Sequence, residues 1–366
     1  MKIWALIFFL LPLLGCVYVG WNVWRILPLT TAWKTLVIVA MAACFALFIL
    51  NFVLGLDRVP LPLARVMYNV GNSSLFILLY LTMLFLALDL GRLLHLVPSS
   101  FLKDSFVGSL TVLMLIVGIF VYGNTHYYNK SRASMELDTK GRVAQPMKLV
   151  LMSDLHLGYH NPRAEFARWV DLINAEQPDL ILIAGDIIDI SVRPLLEEDV
   201  AAEFRRLQVS VYACLGNHEY YSGEPKAQQF FRDAGIRLLR DEAVSLPEWG
   251  QLTVIGRDDR TNPHRKSVAQ LMKAFSPEKT NFTILLDHQP YHLDRSARAG
   301  VDFQFSGHTH YGQVWPISWI TKAIYECSYG NYQRDSTHFY ISSGIGIWGG
   351  KFRIGTRSEY LVLTLK

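Results

Sequence analysis

Four stretches of the chain contain no charged residue: Ile3 to Trp24, Thr35 to Leu56, Val66 to Leu88 and Ser105 to Thr125. Each holds about 20 residues or slightly more, enough for a helix to cross ~30 Å of hydrocarbon at about 1.5 Å per residue. The pattern predicts four transmembrane helices within residues 1–125. Trp4, Trp21, Trp24, Trp33, Tyr68, Tyr122, Tyr127 and Tyr128 fall near their ends, where amphipathic rings favour the membrane interface. Asp89 and Arg92 are three residues apart and share a helical face at the end of the third stretch. They read as interfacial snorkelling charges rather than as a buried functional pair. Leu13-Leu14-Gly15-Cys16 loosely resembles a lipoprotein cleavage site. Val17 to Trp21 stay apolar, however, where a mature chain should turn polar, so a span is the preferred reading.

Residues 126–147 are polar, carry Lys130, Arg132, Lys140 and Arg142, and show no sustained periodicity. They read as a linker. From residue 148 to 366 short β-type runs alternate with amphipathic helical patterns, which predicts a layered α/β domain. The runs are Leu149 to Met152, Leu180 to Ala184, Val209 to Leu215, Leu252 to Ile255, Phe282 to Leu286, Phe303 to Phe305, Phe339 to Ile341 and Tyr360 to Leu365. Helical patterns cover Arg163 to Ala175, Leu195 to Leu207, Lys226 to Ala234 and Ser267 to Phe275.

Composition agrees with the split. Hydrophobic residues reach 51% of the 366 while charged residues still make up 18%, so an apolar part is joined to an ordinary one. Residues 1–146 carry 11 Lys/Arg and 5 Asp/Glu; residues 147–366 carry 24 and 26. The net charge of +4 therefore comes from the membrane half, where basic residues flank the spans. The other half offers no basic stripe for a long polyanion, which argues against nucleic acid as a partner. Cys16, Cys44, Cys214 and Cys327 have no spacing that suggests a disulfide framework or a thiolate metal site.

The chemistry lies at the C-terminal ends of the β-type runs. Asp154-Leu155-His156 comes directly after the first, Gly185-Asp186 after the second and Gly216-Asn217-His218-Glu219 after the third. Asp287-His288 succeeds the fifth and Gly307-His308-Thr309-His310 the sixth. Any one of these alone is a turn or a cap. Five in this order place metal-competent side chains along the C-terminal edge, where open sheets build their sites. Oxygen and imidazole donors without thiolate suit Mn, Fe or Zn. So many ligands exceed the need of one structural ion and suit two, which together serve phosphoryl transfer.

These motifs resemble the calcineurin-like metallophosphoesterase superfamily over residues 148–366. Gly307 to Gln313, with Ser342-Ser343-Gly344-Ile345-Gly346 and Arg353-Ile354-Gly355, is similar to bacterial predicted phosphohydrolases that include exported and lipoprotein members. The resemblance implies a two-sheet β-sandwich flanked by helices, with the site at one edge. It also implies two divalent ions, Mn favoured. Asp154, His156 and His310 would hold the first and Asn217, His288 and His308 the second. Asp186 would bridge them, and His218 would be the catalytic histidine rather than a ligand. Asp189, Glu219, His160 and Asp258 are expected to support the site or meet substrate.

The expected whole is an integral-membrane phosphohydrolase of a bacterial inner membrane, with a lipid, lipid-linked or envelope-precursor phosphoester as substrate. A membrane sensor or transport accessory with a regulatory phosphoesterase domain is the alternative, and a nuclease the weaker one. With an even number of spans, Lys2, Arg58, Arg65, Lys130, Arg132, Lys140 and Arg142 share a side with the catalytic domain, against Arg25, Lys34, Arg92 and Lys103. The positive-inside rule then puts that domain on the cytoplasmic face.

Overall fold

The computed structural model describes residues 3–276 and 280–366, with side chains from Leu10 onward. Lys2 and the side chain of Trp4, used above for topology and for the interface, lie outside the described residues. The chain divides into two compact units. One runs to Thr125 and includes Gly349–Phe352; the other is His126–Trp348 with Arg353–Lys366.

The first unit is built from α1 (Ile3–Ile26), α2 (Thr31–Val53), α3 (Leu61–Leu93) and α4 (Phe106–Tyr128). Among the described residues, α2, α3 and α4 are long and apolar enough to cross a membrane, while of α1 only Leu10–Ile26 has described side chains, a stretch shorter than a span. Three of the four expected spans thus meet that test. Val19, Phe45, Phe48, Leu78, Phe85 and Val112 pack inward, yet Trp33, Val39, Phe52, Leu63, Leu113 and Met114 remain exposed. Helices apolar all round suit a lipid surrounding. At Gly71 a Cβ would lie 2.7 Å from the Phe48 backbone nitrogen, so only glycine lets α3 approach α2 this closely. Asp89 does more than snorkel. It accepts a hydrogen bond from Tyr18 at 2.7 Å and pairs with Arg25 at 3.0 Å, which ties the end of α3 to α1; Arg92 stands farther off at 3.5 Å.

The second unit holds two six-stranded mixed sheets among its described residues. The first orders β1 (Lys130–Leu137), β12 (Ser358–Leu365), β2 (Met147–Met152), β3 (Leu180–Ala184), β4 (Val211–Cys214) and β5 (Ile236–Leu238). The second orders β10 (Gly330–Arg334), β11 (Thr337–Ile341), β9 (Phe303–Ser306), β8 (Phe282–Leu286), β7 (Leu252–Gly256) and β6 (Glu242–Ser245). β2 through β5 are mutually parallel, as are β7, β8, β9 and β11.

Alternation explains the layers. Leu180, Leu182 and Ala184 of β3 join Leu286, Phe303 and Phe305 in the core between the sheets. Ile181 and Ile183 face the other way, onto Phe166, Trp169 and Ile173 of α5 (Arg163–Ala175). Helix Val268–Phe275 covers Ile255 and Leu285 on the outer face of the second sheet. Strands buried on both faces read as continuous apolar runs, which is why they were visible in the sequence.

The segment 126–147 departs from its reading as a linker. β1 lies within it and pairs in parallel with β12, Lys130 opposite Ser358 and Leu137 opposite Leu365. Ala133, Met135 and Leu137 alternate toward the core between the sheets, with Arg132, Ser134 and Glu136 exposed between them. An edge strand needs only one apolar face, and here Ala133 contributes little to it. The helix expected over Leu195 to Leu207 splits into Arg193–Glu197 and Ala201–Phe204, with Asp199 left-handed at φ 50° between them.

Candidate metal centre

The loops that leave β2, β3, β4, β8 and β9 meet at the C-terminal edge of both sheets. Those after β2 and β3 run side by side: Asp154, His156 and Leu157 donate their backbone N–H groups to Gly185, Asp186 and Ile187 carbonyls at 3.1, 2.9 and 2.8 Å. Asp154, His156, Asp186, His308 and His310 hold φ values of 55°, 44°, 52°, 69° and 47°. Side chains rarely adopt this region, and it persists where neighbours over-determine the backbone. Two motif glycines have a clear reason. A Cβ on Gly216 would sit 2.2 Å from Asp186 Oδ1, and one on Gly307 would sit 2.3 Å from Asp154 Oδ2. Each glycine is the floor against which a carboxylate lies.

Two groups of side chains could each hold an ion: Asp154, His156 and His310, and Asp186, His288 and His308, with donor atoms in each group within 4.8 Å of one another. In the first, His156 Nε2 stands 3.1 Å from His310 Nε2, and His310 Nε2 lies 3.5 Å from Asp154 Oδ1. Asp186 stands between the groups, its Oδ2 3.0 Å from His288 Nε2 and 3.7 Å from His156 Nε2.

The donor chemistry fits divalent cations. His288 Nδ1 lies 2.7 Å from the Ala184 carbonyl, which can only accept. That nitrogen therefore carries a proton, and Nε2, buried without a hydrogen bond, is the atom left to turn to a cation. Asn217 Oδ1 is likewise buried without one. Burial pushes the His288 imidazolium down, but the Asp186 and Asp154 carboxylates outweigh it and raise its pKa; the same field attracts a metal ion. Burial and the neighbouring His288 hold His308 down at about 4, and burial with His156 and Arg353 depresses His310. Both are neutral imidazoles at pH 7, the ligating form.

The residues expected around these ligands take varied places. Asp189 is buried and faces three histidines: His156 Nδ1 at 3.2 Å, His218 Nδ1 at 3.3 Å and His160 Nδ1 at 3.7 Å. Its contact orients His156 with Nε2 toward Asp154. His156, Asp189 and His218 also form a third group of donors close enough to share an ion. His160 is buried against the Ile347 carbonyl, a position inside the loop rather than one that meets substrate. Asp258 is drawn away by Tyr220 at 2.7 Å, Arg240 at 2.8 Å and Asn262 at 2.8 Å. Glu219 accepts from the backbone of Asp186, Ile187, Ile188 and Gly216 at 3.0, 2.8, 3.0 and 2.7 Å.

The profile of the calcineurin-like phosphoesterase family matches residues 147–312. YkuE of Bacillus subtilis, an uncharacterised metallophosphoesterase, is 30% identical over 237 residues, 60% of this chain and 79% of that protein. The chain belongs to the calcineurin-like phosphoesterases. An uncharacterised metallophosphoesterase of Helicobacter pylori is 30% identical over 229 residues, and the match spans 61% of each chain. A Danio rerio transmembrane protein with metallophosphoesterase domain is 26% identical over 357 residues, 91% of this chain and 80% of that one. Here a metal-dependent phosphoesterase domain and membrane-spanning helices share one polypeptide.

Three features of this phosphoesterase escaped the sequence reading. Asn161 Nδ2 donates to the Leu155, His156 and Ile347 carbonyls at 3.0, 3.0 and 3.1 Å, clamping the first ligand loop. Tyr127, expected at the membrane interface, is instead buried and donates to Asn161 Oδ1 at 2.8 Å and Glu165 Oε1 at 2.6 Å. Arg353 is fully buried and donates to the His310, Gly344 and Gly346 carbonyls at 2.8, 3.2 and 3.1 Å. Its motif was visible; that its work is to hold three loops together was not.

Proposed function

We propose that the chain is an integral-membrane phosphohydrolase that uses two divalent cations to cleave a phosphoester of a membrane lipid or a lipid-linked envelope precursor. The observation that carries this reading is Asp186, placed between two groups of imidazole and carboxylate donors. In this reading Asp154, His156 and His310 hold one cation, Asn217, His288 and His308 the other, and Asp186 both. Cations so held supply Lewis acidity for attack of water on phosphorus and for departure of the ester oxygen. Mn is favoured, with Fe and Zn as the competing ions.

The protein's own part is positioning and one proton. Asp189 fixes the His218 ring through Nδ1, which leaves Nε2 to serve the phosphate or the leaving oxygen. Glu219 and Asn161 fix the loops that carry Asp186 and His156.

Residues 1–125 act as a four-span anchor in a bacterial inner membrane, with the catalytic domain on the cytoplasmic face. Seven basic residues against four support this side. A lipid substrate is supported by the membrane spans in the same chain. Metal analysis of the purified full chain should give close to two ions per chain, with turnover of bis(p-nitrophenyl) phosphate restored by Mn after chelation. A regulatory module would show no metal-dependent turnover, and that result would sink the reading. A C-terminal alkaline phosphatase fusion that is strongly active from a stable protein would put the domain outside instead.

A further inference from the structure

Helix Ile317–Ile324 is amphipathic in the wrong sense for a water-facing surface. Its one buried residue is Ser318, whereas Trp319, Ile320 and Ile324 are 62%, 57% and 59% exposed, and Trp315 just before it is 39% exposed. Among the described residues of the catalytic unit the other exposed large apolar side chains are Tyr128, Leu196 and Tyr221, scattered singly. Four such side chains within ten residues form a patch, and patches of this kind mark interaction sites. Trp315 and Trp319 brace each other edge to face at 5.4 Å, and Lys322 is exposed on the same helix.

The helix is also joined to the metal centre at both ends. At its start, Gly312 lies so close that a Cβ there would be 2.4 Å from the Ser318 nitrogen, and Gly312 is two residues from His310. At its end, the Tyr325 ring stands 6.4 Å from the His308 ring.

We infer that Trp315 and helix Ile317–Ile324 form a bilayer-docking element, which rests on phospholipid headgroups and presents the metal centre to phosphoesters at the membrane surface. The choice of occupant rests on the chain itself. α4 is apolar enough to cross a membrane and ends at Tyr128, and β1 of the catalytic unit begins at Lys130. One residue, Asn129, separates them, so the catalytic unit is tethered to the bilayer that α4 would cross and meets it at high effective concentration. Tryptophan, isoleucine and a lysine on one short helix are the chemistry of the interface: the indoles sit at headgroup level, the isoleucines reach the acyl boundary and the ammonium meets lipid phosphate. Docking of this kind does not depend on what the site hydrolyses.

Photo-crosslinking of the full chain tests it. Ile320→p-benzoylphenylalanine, in nanodiscs of phosphatidylcholine and phosphatidylglycerol, should yield phospholipid adducts on irradiation, several-fold above the same replacement at Asp335, an exposed polar turn residue. Adding Trp319→Ser should lower that yield. Adducts only to a second copy of the chain would assign the patch to self-association and overturn the inference. So would an absence of lipid adduct, or equal adduct at both positions. Metal content and bis(p-nitrophenyl) phosphate turnover of the same samples report separately on the catalytic reading.

Discussion

Glu219 offers the sharpest test of how the centre is built, because the isosteric change Glu219→Gln keeps volume and removes an acceptor. The carboxylate takes four backbone N–H groups, Asp186 and Gly216 on Oε2, Ile187 and Ile188 on Oε1. Whichever way a glutamine amide turns, two of those donors face its NH2. Glu219 is fully buried, so no solvent replaces the lost acceptor. At about 1–3 kcal/mol for each buried donor left unpaired, the change costs about 2–6 kcal/mol, a large share of the roughly 5–15 kcal/mol that holds a domain folded. At about 2–4 °C per kcal/mol for a domain of this size, the melting transition should fall by at least about 4 °C. Asp186 sits on the freed loop, so metal content should fall with it.

The assay is calorimetry of the full chain in detergent, with metal analysis on the same samples. One effect works against the prediction. Burial, followed by the Asp186 charge, pushes the Glu219 carboxyl pKa up, while the amides oppose it. A neutral acid would already present one donor and one acceptor, as glutamine does. Unchanged melting and undiminished metal in Glu219→Gln would mean that the acid is neutral, and the four-amide argument would fail.

Asp186→Asn should empty both ion positions and abolish turnover, while Asp189→Asn should only reduce it; two ions retained in Asp186→Asn by elemental analysis would refute bridging. His218→Ala should keep its metals and lose roughly 10²- to 10⁴-fold in rate, with a smaller loss for a substrate whose leaving group is good. Loss of metal instead would make His218 a ligand, as its grouping with His156 and Asp189 allows. Gly307→Ala places a Cβ 2.3 Å from Asp154 Oδ2 and 2.6 Å from Ser153 Cβ, so it should weaken metal binding without changing any donor; a variant with wild-type metal affinity would show that Asp154 can give way.

Some of this was legible because burial writes itself into sequence. β3 and β8 are covered on both faces, so every position is apolar or nearly so and their boundaries were read correctly. The candidate ligands come directly after such strands, and five motifs in series pointed to the edge. The short strands β5, β6 and β10, together with β1, were missed for the opposite reason. They lie at the sheet ends with few of their residues fully buried, and three to eight residues of that kind do not separate from a loop.

The bonds that join the ligands to each other were hidden for a different reason: they run to backbone. Asn161, Glu219 and Arg353 each hold several main-chain groups of other loops, and a backbone partner leaves no signature in the residue that supplies it. Tyr127 shows how a correct tendency misleads. It lies at the end of an apolar helix, where tyrosine favours the interface, but its hydroxyl is buried against Asn161 and Glu165. Asn161 in turn holds the His156 carbonyl. Two side chains therefore link the last turn of α4 to the backbone of a candidate ligand of the first cluster. The segment read as a linker thus begins inside the support of the candidate site, and a boundary drawn from polarity alone fell just before Tyr127, a residue of that support.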